Sequence, residues 1–294
     1  MKVGLFAFNI NPVATPEYLA ALGRAAEERG FGTIWLAEHV VTFDEHESSC
    51  PYTPDGKLHL PPGTGFLEPF TALAYLAAVT TRIRLGTGVA ILPQRQPLYT
   101  AKEVTAVDWL SGGRVDLGVG LGWSREEFEA CGVQWARRGA RCDEYLALLR
   151  TLLTEELPSF AGEFYQLPAC RFDPKPVQAR LPVHIGGESD AAMRRVARSG
   201  DGWLGLGLDP AGAAECLGRL DVALERAGRT RAEVSVRVSP HQAYTPPPSP
   251  EDFARFAELG VDELIVWCTA QGVGELEPLL DKLAADYLND PEAP

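Results

Sequence analysis

The dipeptide Glu38-His39 closes the apolar run Thr33-Ile-Trp-Leu-Ala37, setting a carboxylate and an imidazole side by side at the end of a candidate strand. Imidazole exchanges its proton near neutral pH, so a histidine there can hydrogen-bond a substrate oxygen or move a proton. Adjacent side chains of an extended chain point to opposite faces, which leaves Glu38 free to meet a polar cofactor edge instead of His39. Further on, Arg82-Ile-Arg-Leu-Gly-Thr-Gly-Val-Ala-Ile91 and Ser111-Gly-Gly-Arg-Val-Asp-Leu-Gly-Val-Gly-Leu-Gly-Trp-Ser124 are β-branched runs ending in glycines, with the helical segment Tyr99–Leu110 between them. Strand ends without side chains, at Gly88 and Gly120, let a flat ligand lie against backbone. A third run, Pro182-Val-His-Ile-Gly-Gly-Glu-Ser-Asp190, ends in Gly186-Gly187 directly before a helix capped by Ser189 or Asp190. Exposed amides and a helix N-terminus make an anion site that a phosphate fits, and Arg194 and Arg195 can close on it.

Other chemistries find no residues. The histidines at 39, 46, 59, 184 and 241 never fall at metal-ligand spacing, and no GxSxG nucleophile elbow occurs. Ser124 reads as the N-cap of an acidic helix, and the pairs Glu126/Glu127 and Glu155/Glu156 read as solvated helix faces. What is left is a pocket for a planar, phosphorylated organic cofactor that carries the redox chemistry while the protein binds, orients and shields it.

The elements that must position these residues follow from periodicity. Candidate strands are Val3–Phe8, Thr33–Ala37, Ile83–Val89, Val115–Val119, Pro182–Ile185, Gly202–Leu206, Val234–Val238 and Glu263–Trp267. Helical patterns fill Pro16–Arg29, Pro69–Val79, Tyr99–Leu110, Arg125–Ala130 with Arg141–Leu153, Asp190–Ser199, Ala211–Ala227, Pro250–Leu259 and Val273–Leu288. Eight strands alternating with helices over 294 residues predict one α/β domain, a single (β/α)8 TIM barrel spanning 1–294. Long connections, Val40–Glu68 after the second strand and Pro158–Leu181 after the fourth, are expected to be lids at the barrel mouth. Thr245–Pro250 reads as a stiff, proline-rich connector.

Composition narrows the partners. With 27 basic against 40 acidic residues the net charge is −13, which would repel a phosphate backbone, so no nucleic-acid partner is expected. No apolar run reaches membrane length, and the N-terminus enters a strand pattern without a signal-peptide cleavage site, giving a cytoplasmic expectation. Six cysteines without a CxxC pair suggest neither a zinc site nor a disulfide framework.

At Ala37-Glu38-His39, Tyr52-Thr-Pro-Asp-Gly56, Leu85-Gly-Thr-Gly-Val-Ala-Ile-Leu-Pro93, Leu110-Ser-Gly-Gly-Arg114, Gly118-Val-Gly-Leu-Gly-Trp123, Lys175-Pro-Val177, Ile185-Gly-Gly187 and Gly200-Asp-Gly-Trp203 the chain resembles the luciferase-like monooxygenase superfamily. More narrowly it resembles the class dependent on the deazaflavin coenzyme F420. The resemblance covers Lys2 to Leu204. It implies a cis peptide at Gly88-Val89 backing the cofactor ring, phosphate binding at Gly186 and Gly187, and Glu38 and His39 near the reactive edge as the catalytic pair. The implied cofactor-binding set is Glu38, Thr87, Gly88, Val89, Gly120, Trp123, Gly186, Gly187 and Glu188. The implied activity is hydride transfer between F420 and a small-molecule substrate, by a homodimer joined through helices that include Pro69–Val79. Two departures stand out: many deazaflavin members carry aspartate in place of Glu38, and sugar-phosphate dehydrogenases of the group carry a catalytic glutamate in place of Trp123. An FMN-dependent monooxygenase using reduced FMN and oxygen is the alternative, and a barrel that binds cofactor without catalysis is a third reading.

Overall fold

Each helix that begins with proline is preceded by a side chain that accepts one of its free amides. Thr15 accepts from the Tyr18 N–H at 3.2 Å, Gln96 from Tyr99 at 2.9 Å and Asp209 from Gly212 at 2.7 Å, while Ser249 and Asp252 form a reciprocal capping box. The computed structural model describes residues 1–240 and 247–288. His241 and the first residues of the Thr245–Pro250 connector lie outside the described residues.

In chain order the elements are β1 (Lys2–Ala7), α1 (Pro16–Arg29), β2 (Thr33–Leu36), α2 (Pro69–Val79), β3 (Arg84–Thr87), β4 (Ala90–Ile91), α3 (Pro97–Ser111), β5 (Val115–Gly120), α4 (Arg125–Ala130), α5 (Arg138–Thr154), β6 (Phe160–Ala161), β7 (Gln166–Leu167), β8 (Val183–Gly186), α6 (Asp190–Ser199), β9 (Gly202–Leu206), α7 (Pro210–Arg226), β10 (Ser235–Ser239), α8 (Pro250–Glu258), β11 (Glu263–Cys268) and α9 (Val273–Tyr287). Parallel pairing runs β3-β2-β1-β11-β10-β9-β8-β5, and β3 pairs with β5 to close the barrel. The expected TIM barrel is therefore the fold. All four residues of β2 are buried, as parallel strands covered on both faces require.

The third strand departs from the continuous run that periodicity predicts. It breaks between β3 and β4 at a cis peptide joining Gly88 and Val89. Gly86 faces Asp116 and Ala90 faces Val119, so the chain from Gly86 to Ala90 carries one residue more than the stretch opposite. That is a bulge, and it re-aims the backbone.

Inside the barrel Trp35, Leu204 and Ile265 pack with Phe6 and Val89. Below them lies a buried charged layer. His184 Nε2 meets Asp116 at 2.8 Å, Arg237 reaches His184 Nδ1 at 3.2 Å and Glu263 at 3.0 Å, and Arg84 pairs with Asp116. No helix among the described residues is long and apolar enough to cross a membrane.

The two long connections behave differently. Residues 40–68 do reach the C-terminal ends of the strands, whereas 158–181 carries the β6–β7 hairpin along α5. The Glu144 carboxylate accepts the N–H groups of Glu163, Phe164 and Tyr165, and the Tyr145 and Tyr165 rings meet edge to face at 5.7 Å. The expected second lid is thus a brace on a helix, held there by backbone amides that need an acceptor.

Candidate functional site

A cavity of about 480 Å³ opens at the C-terminal ends of the strands, in the size range of small-molecule sites. Glu38, His39, Gly88, Val89, Gly120, Trp123, Gly186, Gly187 and Glu188 all border it, joined by Tyr52 and Phe66 from the 40–68 lid and by Arg195 from α6. Thr87 does not. Its hydroxyl donates to the Gly118 carbonyl at 2.7 Å and the residue is buried, so its place is inside the bulge and the expectation of a cofactor contact is corrected.

The glycines make room for the bulge itself. A Cβ on Gly118 would lie 2.0 Å from the Thr87 carbonyl oxygen, and one on Gly86 would lie 2.4 Å from the Trp35 ring. On Gly120 it would meet Val89 Cγ2 at 2.5 Å. The sequence reading gave this space to a ligand. The protein fills it with the Trp35 ring, the Thr87 carbonyl and Val89, and the partly exposed Gly88-Val89 unit borders the cavity together with Gly120.

His39 is fixed by a residue that sequence reasoning set aside. Glu127 is buried, and its carboxylate lies 3.0 Å from His39 Nδ1 while also accepting from the Val40 N–H at 2.6 Å and Gln94 Nε2 at 3.3 Å. Ser124 caps α4 by accepting the Glu127 N–H, as expected, which makes Ser124-Arg-Glu-Glu127 half of a capping box. In the full motif the glutamate turns back to the cap. Here it reaches across to His39, and Ser124-x-x-Glu127 was the one signal in the sequence that could have raised the residue. Glu126 is not simply solvated either: it accepts the N–H groups of Glu47 and Ser48 in the lid. Glu155 and Glu156 are exposed, as expected.

Glu38 is oriented away from the role expected of it. One carboxylate oxygen accepts from the Ile91 N–H at 2.6 Å and the other pairs with Arg95, which also holds Glu68 and Glu103. Burial pushes the Glu38 carboxyl up, and Arg95 and the Ile91 N–H pull it back. The residue anchors the chain just beyond the bulge, so its carboxylate is committed within the protein.

At the β8 end, Ser189 caps α6 and Gly187 adopts a left-handed backbone, φ 111°. Arg195 borders the cavity while its Nε holds Asp143 at 2.6 Å, whereas Arg194 is exposed. Burial pushes the Glu188 carboxyl up, and its Oε1 accepts from the Leu206 N–H at 2.9 Å. The Trp123 ring lies 5.6 Å from that of His39 and 5.4 Å from that of His46, and its Nε1 meets no acceptor among the described residues. No group of three or more metal-binding side chains occurs among the described residues.

Fold and site together define a (β/α)8 barrel with a cavity at the C-terminal ends of its strands, bordered by a cis-peptide bulge. The chain belongs to the luciferase-like monooxygenase family, whose model matches residues 1–253. It is 37% identical over 245 residues to the uncharacterized protein Rv0940c of Mycobacterium tuberculosis, covering 83% of each chain. The coenzyme F420-dependent tetrahydromethanopterin reductase of Methanopyrus kandleri is similar in structure, with a TM-score of 0.77 at 15% identity, covering 98% of this chain and 99% of that one. Monooxygenase RslO1 of Streptomyces bottropensis gives 0.74 at 20% identity over the same shares.

Proposed function

We propose that this chain is an oxidoreductase that binds the deazaflavin coenzyme F420 in the cavity and catalyses hydride transfer between it and a small organic substrate. The observation that carries the reading is the Gly88-Val89 bulge bordering the same cavity as His39. The residues suit a planar, phosphorylated group: Val89 offers a ring an apolar face, and Gly187, the start of α6 and Arg195 offer a phosphate amides and a cation. Glu188 Oε1 is turned to the Leu206 N–H, which holds that oxygen within the protein.

When bound, the cofactor supplies the hydride chemistry. The chain supplies position and protons. His39 has Nδ1 committed to Glu127, which leaves Nε2 to hydrogen-bond a substrate oxygen and to give or take its proton. The lid excludes water, its returning limb sewn to the end of β1 by Asn9, whose amide nitrogen donates to the Ala37 and Leu67 carbonyls at 3.0 and 2.8 Å.

The same groups would hold FMN, and the likeness in fold to a monooxygenase supports an FMN-dependent monooxygenase as the second reading. Titration of the purified protein with F420, FMN and riboflavin, followed by absorbance, separates them. F420 is expected to bind with a Kd on the order of micromolar and FMN at least about tenfold more weakly. Tight FMN with no F420 binding transfers the conclusion to the second reading. Arg195→Met is expected to weaken FMN about tenfold more than riboflavin, since only FMN carries the phosphate.

We also propose a homodimer. The segment Pro69–Val79 is more apolar than one core-facing stripe needs; of Phe70, Leu73, Ala74, Leu76, Ala77 and Ala78, four are buried within the chain, Ala74 is half-buried and Ala78 is exposed. Further outward apolar surface lies on Tyr75 of α2 and on Tyr99, Trp109 and Leu110 of the neighbouring α3. Light scattering at micromolar concentration is expected to give twice the chain mass, and a monomer mass removes the proposal.

A further inference from the structure

The two ends of the cavity differ in chemistry. Around the closed barrel β8 stands opposite β1, with three strands between them by either route. On the β8 side the cavity meets Arg195 and Glu188, and Arg195 is the one lysine or arginine that borders it among the described residues. On the β1 and β11 side it meets rings. Phe6 stacks on Trp267 at 4.6 Å with the planes 24° apart, Phe8 meets Trp267 edge-on at 5.7 Å, and Phe66 of the lid lies 5.1 Å from the His39 ring. Ser239 and the Asn9 amide nitrogen are paired within the protein, while Asn9 Oδ1 is an acceptor without a partner among the described residues. Ser239 accepts from Trp267 Nε1 at 3.0 Å and donates to the Ile265 carbonyl at 3.1 Å, and the Asn9 amide nitrogen holds two carbonyls.

We propose that this wall is the substrate subsite, and that it takes a neutral aromatic compound bearing one carbonyl or hydroxyl oxygen. The inference rests on the reading above, in which the cofactor takes the bulge and the β8 end. Among the described residues no lysine or arginine lies at this wall to pair with a carboxylate or phosphate on the substrate, and the desolvation of an unpaired charge is severe. Rings already set in stacked and edge-on arrangements accept a further ring in the same geometries, which favour an aromatic guest over a saturated one of equal size. His39 offers a donor or acceptor for a single oxygen at the edge of the wall where its ring meets Phe66, and Nε1 of Trp123 beside it is a further donor without a partner among the described residues.

The test is equilibrium titration calorimetry of the intact protein with benzaldehyde, cyclohexanecarbaldehyde and benzoate, with and without saturating F420 or FMN. Benzaldehyde is expected to bind about threefold to tenfold more tightly than the saturated aldehyde and at least about tenfold more tightly than benzoate. Phe8→Leu is expected to erase the preference for the aromatic aldehyde. Phe66→Leu, on the lid, serves the same purpose should Phe8→Leu fail to fold. Benzoate binding as tightly as benzaldehyde, equal binding of the two aldehydes, or no binding of any probe overturns the proposal. The cofactor titration is read separately. If neither cofactor binds while the aldehyde preference holds, the oxidoreductase reading fails and the aromatic subsite stands.

Discussion

At the scale of the residue, His39 and Glu127 form a unit that neither position announces alone. A carboxylate 3.0 Å from Nδ1 fixes the orientation of the ring, so Glu127 is a positioning residue acting through His39. His39→Ala is expected to lower turnover by about a hundredfold or more, the scale of losing a general acid or base, while cofactor affinity stays within about tenfold. Glu127→Gln keeps the shape and removes the charge. It should lower kcat about tenfold with KM little changed, because the ring that presents Nε2 is no longer held by a charge. A merely structural Glu127 would lower Tm along with kcat, and steady-state kinetics beside thermal unfolding distinguish the two. Gly88 is a poor probe of the ligand by comparison. A Cβ there would meet Phe6 at 3.2 Å and Trp35 at 3.4 Å, so substitution disturbs the barrel interior first.

At the scale of the element, the bulge between β3 and β4 is made possible by glycines on its neighbours. Gly118→Ala is expected to destabilise the protein by about 3 kcal/mol and to weaken cofactor binding with it, because its Cβ would stand 2.0 Å from a backbone carbonyl that cannot turn aside. Unchanged urea unfolding in that variant would show that the bulge can shift. The contrast between what the sequence disclosed and what it hid has the same origin. Helices such as α1, α2, α4 and α6 lie where caps and periodicity put them, since proline, cap and apolar spacing all act within a few residues. The break at Gly88-Val89 left no mark on the run Ile83–Val89; only the family resemblance disclosed it. Glu127 was hidden because its partner lies 88 residues away, and an isolated helix with two acidic residues in its first turn looks solvated. Glu38 was correctly placed at the strand end, but its commitment to Arg95, 57 residues on, depends on a contact no local pattern encodes. The 158–181 segment failed as a lid for a related reason: length and glycine content predict a long loop, not which side of the barrel it lies on.

At the scale of the whole molecule, the charged layer beneath Trp35 sets the response to acid. Arg237 can only donate, so its contact with His184 Nδ1 makes that nitrogen an acceptor and leaves Nε2–H to donate to Asp116. His184 is therefore neutral, and burial holds its pKa below the ordinary histidine value, with Asp116 pulling up and Arg237 pushing down. In the unfolded chain the same imidazole takes a proton at about pH 6.5. Below that value the unfolded state binds the proton that the folded state refuses, so the stability from neutral His184 is complete above about pH 6.5 and is lost as pH falls. Asp116 acts in a lower window. Burial alone would raise it, but His184, Arg84 and Arg237 hold its carboxyl well below the usual range, so its contribution is present above about pH 3.9 and disappears beneath it. Glu263 opposes both, because burial pushes its carboxyl up and folding favours its protonated form. Comparison with His184→Gln isolates the histidine, since a glutamine amide keeps a donor for Asp116 and does not titrate. Wild-type Tm is expected to fall steadily from about pH 6.5 to about pH 5, while His184→Gln, less stable at neutral pH for want of the Arg237 contact, holds a flatter Tm over the same interval. Parallel slopes in the two proteins would place the acid sensitivity elsewhere.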